Sequence, residues 1–394
     1  MTDMKMKILE RLEAGEITAE EALAMMGQIK EPGPVDPRQI DPRKAPHFHE
    51  PLNNYRHEDF SFDDTPDWLD SIVGWVGEVV EEITDSVKDS DVKSNVSDLL
   101  SGTYGHYKRT ESFTSQPVLQ GLSRLELGGK NEKIEIYAYD GNCVQIRCDY
   151  DARRPNEYVQ FHDENGHIAL WFDEKAMRSV KVMCYVPRVH IGHVQAVTKN
   201  ARIVLADINA AEISLTTKND KITVESAICS ALTAITKNDS IKIADVSGDN
   251  IHIETSNDKI TAEDIHAGSV TLKTTNAGIK TANIDAVHLV MNTTNASLKM
   301  KDTLPDASGL WECERTLDAF TTNGSIRLGM PGGIGFAVEA NTTDGKVTCD
   351  IPLYRTDGSG KMHLVGESMD YAAGTRRLRV KLGSTNASVK IGAV

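Results

Sequence analysis

The chain contains few cysteines, and no two of them are spaced as a C-x-x-C pair. Six are scattered through 394 residues, namely Cys143, Cys148, Cys184, Cys229, Cys313 and Cys349. That density is too low for a disulfide framework, and the spacing does not suit a zinc site. We therefore expect buried free thiols in strands, and we predict neither a metal nor a cofactor.

Positive charge and long apolar runs are also scarce. The chain has 43 Lys and Arg against 58 Asp and Glu, a net charge of -15. Non-specific nucleic-acid binding needs a basic footprint, so we expect no nucleic-acid partner. No run approaches the roughly 20 apolar residues of a transmembrane helix. Residues 1–15 lack the apolar core of a secretory signal. These features predict a cytoplasmic protein without a transmembrane segment, with association to the membrane surface as the alternative.

What the sequence does contain is a 19-residue repeat. An asparagine recurs at each step, a threonine stands two residues before it, and an aliphatic residue stands three after it. The asparagines are Asn200, Asn219, Asn238, Asn257, Asn276 and Asn295, and the central threonines are Thr217, Thr236, Thr255 and Thr274. Self-similarity at a fixed period of this length is typical of a solenoid.

Within each repeat the apolar residues alternate with polar ones. Ile213 and Leu215 precede Thr217, and Ile222 and Val224 follow Asn219. Period two is strand spacing with one buried face. The sequence therefore predicts a mainly β protein, a parallel β-helix whose coils stack about 4.8 Å apart. It leaves open the handedness and the number of strands per coil.

Stacking places each Thr and Asn above its own copy, so their side chains are expected to hydrogen-bond along the stack. Asn also tolerates the left-handed conformation that a sharp corner needs, so we expect it to turn the chain. Basic residues recur near the same turn, and in register they form a positive strip for an anionic polymer, a headgroup or an acidic partner helix. Its members are Lys199, Arg202, Lys218, Lys221, Lys237, Lys242, Lys259, Lys280 and Lys299. Lysines that merely keep the outer face soluble and unpaired are the alternative.

The solenoid is predicted over residues 111–394, and three segments precede it. Residues 1–30 read as a helical hairpin in which Gly15 ends the first helix and Thr18 and Glu21 form a capping box for the second. Residues 31–66 hold seven of the thirteen prolines and are predicted to be an extended linker. Its His47, His49 and His57 are a weak metal candidate.

Residues 67–110 begin with an amphipathic helix whose apolar face includes Trp68, Ile72, Trp75, Val79 and Ile83. Its polar face is acidic, which disfavours an anionic membrane and favours docking on protein, including an end or side of the solenoid. A protein partner, or a second copy of the chain, is therefore expected.

The hairpin and the repeat together resemble a known bacterial group. Residues 4–30 resemble the SHOCT-like N-terminal segment, and residues 122–394 resemble a β-strand-repeat domain labelled "putative adhesin". This pairing is similar to that of the YvlB-like and LiaX-like families of Gram-positive bacteria. The resemblance implies a part in cell-envelope stress responses beside membrane regulators, no catalytic site, and for some members a cell-surface location.

The sequence and the resemblance favour a non-enzymatic binding and regulatory protein that presents a rigid solenoid surface, and two other functions are alternatives. One is an adhesin or a self-assembling scaffold, in which coil ends stack between subunits. The other is a carbohydrate-active enzyme, which would need carboxylates on adjacent coils. Asp207, Asp245, Asp264 and Asp302 form such a column, with Ser226 and Asn283 in its gaps. We interpret it as a solvated turn, and we interpret His190 and His193 as strand residues rather than a metal pair.

Overall fold

The computed structural model describes residues 107–121, 123–154, 159–172, 177–303, 313–356, 361–372, 374 and 376–393, without the side chains of residues 178, 302, 303 and 355. All belong to the second of two compact units, Ser94–Val394. The predicted hairpin, linker and tryptophan helix lie outside the described residues. No described segment forms a helix, and so none has the length and hydropathy of a transmembrane helix.

The described part of the chain is built from 22 strands. In chain order they are β1 Tyr107–Pro117, β2 Arg124–Gly128, β3 Glu132–Tyr139, β4 Cys143–Ala152, β5 Gln160–Glu164, β6 His167–Trp171, β7 Met177–Pro187, β8 Ile191–Val197, β9 Ile203–Thr216, β10 Ile222–Ile235, β11 Ile241–Glu254, β12 Ile260–Lys273, β13 Ile279–Thr293, β14 Leu298–Thr303, β15 Arg315–Thr321, β16 Ile326–Met330, β17 Gly335–Thr342, β18 Val347–Cys349, β19 Arg355–Thr356, β20 His363–Glu367, β21 Arg377–Ser384 and β22 Val389–Ala393.

Strands β9 to β13 are the regular coils of a parallel β-solenoid, which confirms the predicted fold class. Each residue pairs with the residue 19 positions further along, as Ile222 does with Ile241. Each long strand bends at one left-handed residue: Asp207, Ser226, Asp245, Asp264 or Asn283 has a φ of 54–59°. That residue divides the strand into a half that follows the asparagine turn and a half that leads to the next turn.

The coils therefore form two parallel ladders of strands, joined by the asparagine turn on one side and the left-handed corner on the other. The post-turn ladder is formed by the strands and strand halves that follow the asparagine turn. Its order is β7, β3, the first halves of β9 to β13, β14, β16, β22 and β18. The pre-turn ladder is formed by the strands and strand halves that lead to the turn. Its order is β6, β2, β8, the second halves of β9 to β13, β15, β21 and β17.

The inward side chains of both ladders make one apolar core. Ile203 and Leu205 from the post-turn ladder and Ile213 and Leu215 from the pre-turn ladder are fully buried. Their counterparts in the following coils are apolar as well, except for the buried Thr281 of β13, so the coils bury the side chains that the period-two pattern identifies. Burial of these columns is the main driving force for stacking.

At each end of the stack the coils are out of chain order. Near the start, the coil of β2 and β3 lies between the later β6 and β7 and the regular coils. Near the end, the last strands β21 and β22 lie between β15 and β16 on one side and β17 and β18 on the other. Antiparallel strands cover these ends, with β4 and β1 beyond β7, β5 beyond β6, and β20 beyond β17. Such end coils shield the core edge from water and from further parallel pairing.

One predicted boundary is wrong. Residues 107–110, assigned to the helical region, are the start of β1, because they pair with Asp149–Ala152 of β4. The 19-residue period is interrupted after β14, and Leu317 of β15 pairs with Leu289 at a step of 28 residues. Asn165 lies outside the repeat and turns the β5–β6 hairpin with φ of 53°, followed by Gly166.

Candidate functional site

The asparagine side chains form a ladder of hydrogen bonds along the turns. From Asn200 to Asn295 each Nδ2 donates to the Oδ1 of the asparagine in the preceding coil, over 2.6–2.8 Å. The ladder extends to Asn131 at one end and to Asn323 and Asn386 at the other. These side chains are exposed, so the ladder lies on the surface of the solenoid.

The predicted left-handed conformation of these asparagines is wrong, because none of them has a positive φ. The turn is instead held by main-chain hydrogen bonds between coils. The amides of Lys218 and Asn219 both donate to the carbonyl of Lys199, at 3.2 and 2.9 Å, and the next coils repeat this pair. Side-chain amides and main-chain amides together satisfy the polar groups of the bend.

The threonines before the turn are buried. The sequence predicts hydrogen bonds from one threonine to the next, but their hydroxyls bond to the main chain instead. Each Oγ1 donates to the main-chain carbonyl of the residue 16 positions earlier, in the turn of the preceding coil. Thr217, Thr236, Thr255 and Thr274 do so at 2.9–3.1 Å and are at most 2 % exposed. The hydroxyl column is thus the buried polar link between successive turns.

The acidic column lies at the left-handed corner of the coil. Asp207, Asp245 and Asp264 are exposed there, and Asn283 donates a side-chain hydrogen bond to Asp264. Asn and Asp are the residues that tolerate this backbone conformation best, which accounts for the column without chemistry. The side chain of Asp302 lies outside the described residues.

His193 lies on β8 and His190 directly precedes that strand, and the two have separate partners. His190 Nδ1 lies 2.8 Å from Asn209 Oδ1, and His193 Nδ1 lies 3.2 Å from Glu212 Oε2. Among the described residues, no cluster of three or more His, Cys, Asp or Glu side chains could hold a metal ion.

On the outer surface of the pre-turn ladder, charges of opposite sign are paired. Glu254 is an example, lying 3.4 Å from His252 Nε2 and 3.1 Å from Lys273 Nζ. Burial raises the pKa of its carboxyl, but the hydrogen bonds and positive charges of His252 and Lys273 outweigh burial and hold the pKa below the usual range.

The outer surface of the post-turn ladder is different, because cations dominate two adjacent columns on it. The columns stand two and four residues after the position of the ladder asparagine in each coil, as Lys221 and Thr223 do after Asn219. We call these two columns the cationic band. In stack order the first column reads Lys181, Lys133, Arg202, Lys221, Ser240, Lys259, Gly278, Ser297, Ser325, Ser388 and Lys346. The second column reads Met183, Glu135, Val204, Thr223, Lys242, Thr261, Lys280, Lys299, Arg327, Lys390 and Thr348.

The cationic band thus carries eleven cations and one carboxylate over eleven strands. At a strand spacing of about 4.8 Å it is about 48 Å long. This is a strong local excess of positive charge on a chain whose net charge is -15.

The single carboxylate of the cationic band neutralises one end of it. Glu135 is buried and lies 2.6 Å from Arg202, 3.2 Å from Lys181 and 3.4 Å from Lys133. Burial raises its pKa, but the hydrogen bonds from Arg202 and Lys181 and the nearby positive charges lower it overall. This end of the cationic band is an internal ion-pair cluster.

Six cations of the cationic band have no carboxylate partner within the described part of the chain. They are Lys221, Lys259, Lys280, Lys299, Arg327 and Lys346, and all six are exposed. Lys280, Lys299 and Arg327 are direct neighbours on β13, β14 and β16. Lys242 and Lys390 do have partners, Glu225 at 3.6 Å and Asp350 at 3.1 Å.

The predicted positive strip is divided by the structure into two parts. Arg202, Lys221, Lys242, Lys259, Lys280 and Lys299 belong to the cationic band, whereas Lys199, Lys218 and Lys237 stand one residue before each asparagine, across the asparagine ladder from the band. Sequence reasoning missed Arg327 and Lys390, although each stands four residues after a motif asparagine. No spacing rule identifies Lys181, because β7 enters the ladder only through its pairing with β3.

The comparison with family models decides the relationship of the chain. Residues 156–368, more than half of it, match the model described as Toastrack DUF4097. The chain belongs to the Toastrack DUF4097 family. No curated protein matches this Toastrack chain.

Solved structures similar to this Toastrack protein share little sequence with it. One is described as a "putative adhesin" from Bacteroides fragilis, with 11% identity and a TM-score of 0.32, and covers 73% of this chain and 98% of its own. A "putative cell adhesion protein" from Clostridium sporogenes has 8% identity and a TM-score of 0.20, with 74% and 100% coverage. A "putative lipid binding protein" from Parabacteroides distasonis has 9% identity and a TM-score of 0.30, with 72% and 96% coverage.

Proposed function

We propose that this Toastrack protein is a non-enzymatic binding and regulatory module that acts in the bacterial cell-envelope stress response. In this proposal the solenoid holds an anionic partner on the cationic band, and the SHOCT-like N-terminal hairpin and tryptophan helix dock membrane-bound regulators. The observation that carries the proposal is the row of exposed, unpaired cations on neighbouring strands of a net acidic protein.

A binding role is favoured over catalysis by the placement of the carboxylates. Those of the repeat column lie at the exposed left-handed corner, at most one per coil, where the backbone conformation accounts for them. The cationic band lacks the paired carboxylates that glycoside hydrolysis uses, since Glu135 is committed to three cations.

A finite module is favoured over a self-assembling scaffold by the ends of the stack. The antiparallel strands β1, β5 and β20 occupy positions where a second solenoid would have to continue the parallel ladders. Sedimentation velocity over a hundredfold range of concentration tests this: we expect a species of fixed size, and growth without limit would support the scaffold.

The binding role is tested with charge-reversed full-length protein. In the test variant Lys280→Glu, Lys299→Glu and Arg327→Glu are combined. The matched control combines Arg377→Glu, Lys381→Glu and Lys361→Glu, which change the net charge equally at exposed positions outside the cationic band. Both proteins are used to recover partners from a bacterial envelope extract.

We expect the control to retain the partners of the wild type and the test variant to lose them, because a like-charge surface is repelled. Equal recovery by all three proteins would refute binding through the cationic band. The N-terminal part of the proposal is examined separately with Trp75→Asp in the full chain. We expect that change to reduce recovery of membrane-bound regulators and to leave binding to the cationic band unchanged.

A further inference from the structure

The shape of the cationic band restricts what it binds. Its two columns are two residues apart along each strand, which places them about 7 Å apart, whereas the band is about 48 Å long. The surface is therefore a line of positive charge that runs along the stack and crosses the strands.

Beside β10 to β12, carboxylates border this line on both sides, whereas beside Lys280, Lys299 and Arg327 the same positions hold no carboxylate. On the turn side, Asp220, Asp239 and Asp258 stand one residue after the ladder asparagines, and each Oδ1 accepts a hydrogen bond from the next main-chain amide at 2.6–2.7 Å. On the other side, Glu225 and Glu263 stand six residues after the turn and are exposed. A broad anionic surface such as a bilayer would meet these carboxylates together with the lysines, whereas a single extended polymer would not.

Small residues keep the unpaired cations accessible. Beside Lys280, Lys299 and Arg327 the first column carries Gly278, Ser297 and Ser325. On the other side of Arg327 and Lys390, Gly329 and Gly392 line a shallow depression of about 450 Å³. A bound chain would thus lie against main chain and small side chains, within reach of the cations and of the serine hydroxyls.

The donors of the cationic band suit phosphate. Nine of the eleven cations are lysines, and only Arg202 and Arg327 are arginines. Lysine binds phosphate as a point charge in any orientation, whereas the planar guanidinium holds phosphate or carboxylate in one fixed geometry with two hydrogen bonds. The hydroxyls of Ser297 and Ser325 beside these cations can donate to the remaining oxygens of a phosphate group. We propose that the ligand of the cationic band is a linear phosphate polymer that lies along the solenoid axis across successive strands.

This proposal rests on the proposed binding function and specifies its ligand. The probe is inorganic polyphosphate in a series of chain lengths, titrated into the full-length protein and followed by calorimetry at several salt concentrations. We expect affinity to rise with chain length until the polymer spans the unpaired part of the cationic band, and then to level off. We also expect log K to fall linearly with log salt, because bound counterions are released.

The same two charge-reversed proteins provide the comparison. Combined Lys280→Glu, Lys299→Glu and Arg327→Glu should lower the affinity at least tenfold and reduce the salt slope by about 2, roughly 0.7 for each lost contact. The control with Arg377→Glu, Lys381→Glu and Lys361→Glu should bind within twofold of the wild type.

Two further probes separate the alternatives. Polyglutamate of matched charge should bind more weakly than polyphosphate, and equal binding would overturn the assignment of phosphate. Phosphatidylglycerol vesicles should bind more weakly than long polyphosphate, and preferred binding to vesicles would show a lipid surface as the target. Affinity that does not depend on chain length would overturn the extended arrangement.

The outcomes also separate this proposal from the one on which it rests. If no phosphate polymer binds but the charge-reversed test variant still loses its envelope partners, the ligand assignment fails and the binding function stands. If the test variant retains both polyphosphate and the envelope partners, both proposals fail.

Discussion

Replacing Thr236 with valine tests which polar column holds the coils together. The Thr236 hydroxyl is fully buried and donates over 3.0 Å to the main-chain carbonyl of Asp220 in the preceding turn. Valine has the same shape but no donor, so the change leaves the core filled and removes the hydrogen bond to that carbonyl. An unsatisfied buried acceptor costs about 1–3 kcal/mol, and we expect a loss of stability in that range.

The control is the same change on the outer surface of β10, the strand that leads to Thr236. Thr233 stands three residues before Thr236 and its side chain is only partly buried. Thr233→Val alters the composition equally but leaves the buried link between turns intact, so we expect a change within about 0.5 kcal/mol.

The assay is urea denaturation followed by circular dichroism, with hydrogen exchange of β10 and the adjoining turn as a local readout. Stacked repeats can unfold in stages, so the free energy of the first transition is the quantity compared. If the free energy of the first transition of Thr236→Val equals that of the wild type, the hydroxyl column does not hold successive turns together. The same conclusion follows if Thr233→Val loses as much stability as Thr236→Val.

The asparagine ladder provides a second comparison within the same assay. Because Asn238 is exposed, Asn238→Ala should cost less than Thr236→Val, at most about 1 kcal/mol. Asn386 stands near the end of the chain, yet it belongs to an inner coil and donates to Asn323 over 2.6 Å. Asn386 makes one hydrogen bond of the ladder and Asn238 makes two, so we expect Asn386→Ala to cost about half as much as Asn238→Ala, and no loss at all would contradict the order of the coils.

Three further predictions follow from other parts of the solenoid. Gly324→Ala should lower the melting temperature, because its Cβ would lie 1.7 Å from the Ala296 carbonyl, whereas Gly332→Ala, with nothing within 4 Å, should not. Glu254→Gln should lower the free energy of unfolding most near neutral pH. The pKa of Glu254 is lower in the folded state than the unfolded value of 4.5, so its ionised carboxylate stabilises the fold above that pH, and this stabilisation is lost as the pH falls through the folded pKa. In urea titrations the difference between wild type and variant should therefore be smaller at pH 3.5 than at pH 7. Burial raises the pKa of the Cys184 thiol, so Ellman's reagent should label exposed Cys313 rapidly and Cys184 only after denaturation.

The regular coils could be predicted from sequence because each residue there pairs with the equivalent residue of the next coil. Pairing at a constant step of 19 makes the period visible, and alternation at Ile241 and Ile243 identifies the inward face. The buried position of Thr236 follows from the same alternation. Its hydrogen-bond acceptor does not, because a column of identical residues suggests contacts between copies, whereas the hydroxyl reaches the main chain of the preceding turn.

The end coils could not be predicted in the same way, because their partners are distant and irregularly spaced. Lys181 joins the cationic band through the pairing of β7 with β3, and Lys390 joins it through the pairing of β22 with β16. Neither strand is adjacent in sequence to the strand it meets. The Asn-Gly pair at Asn165 turns a hairpin, whereas the Asn-Gly pair at Asn323 turns a coil of the solenoid, so the pair alone does not distinguish the two kinds of turn.

The out-of-order end coils have a consequence for how the solenoid completes its fold. Strands β21 and β22 are the last of the described chain to leave the ribosome, yet they lie between β15 and β16 on one side and β17 and β18 on the other. The terminal coil of β17 and β18 therefore has no parallel partner until β21 and β22 arrive. The native stack is completed by strands inserted between coils, so a chain that stops before β21 leaves an apolar edge open at β15, and the core is covered there only once β21 and β22 are in place.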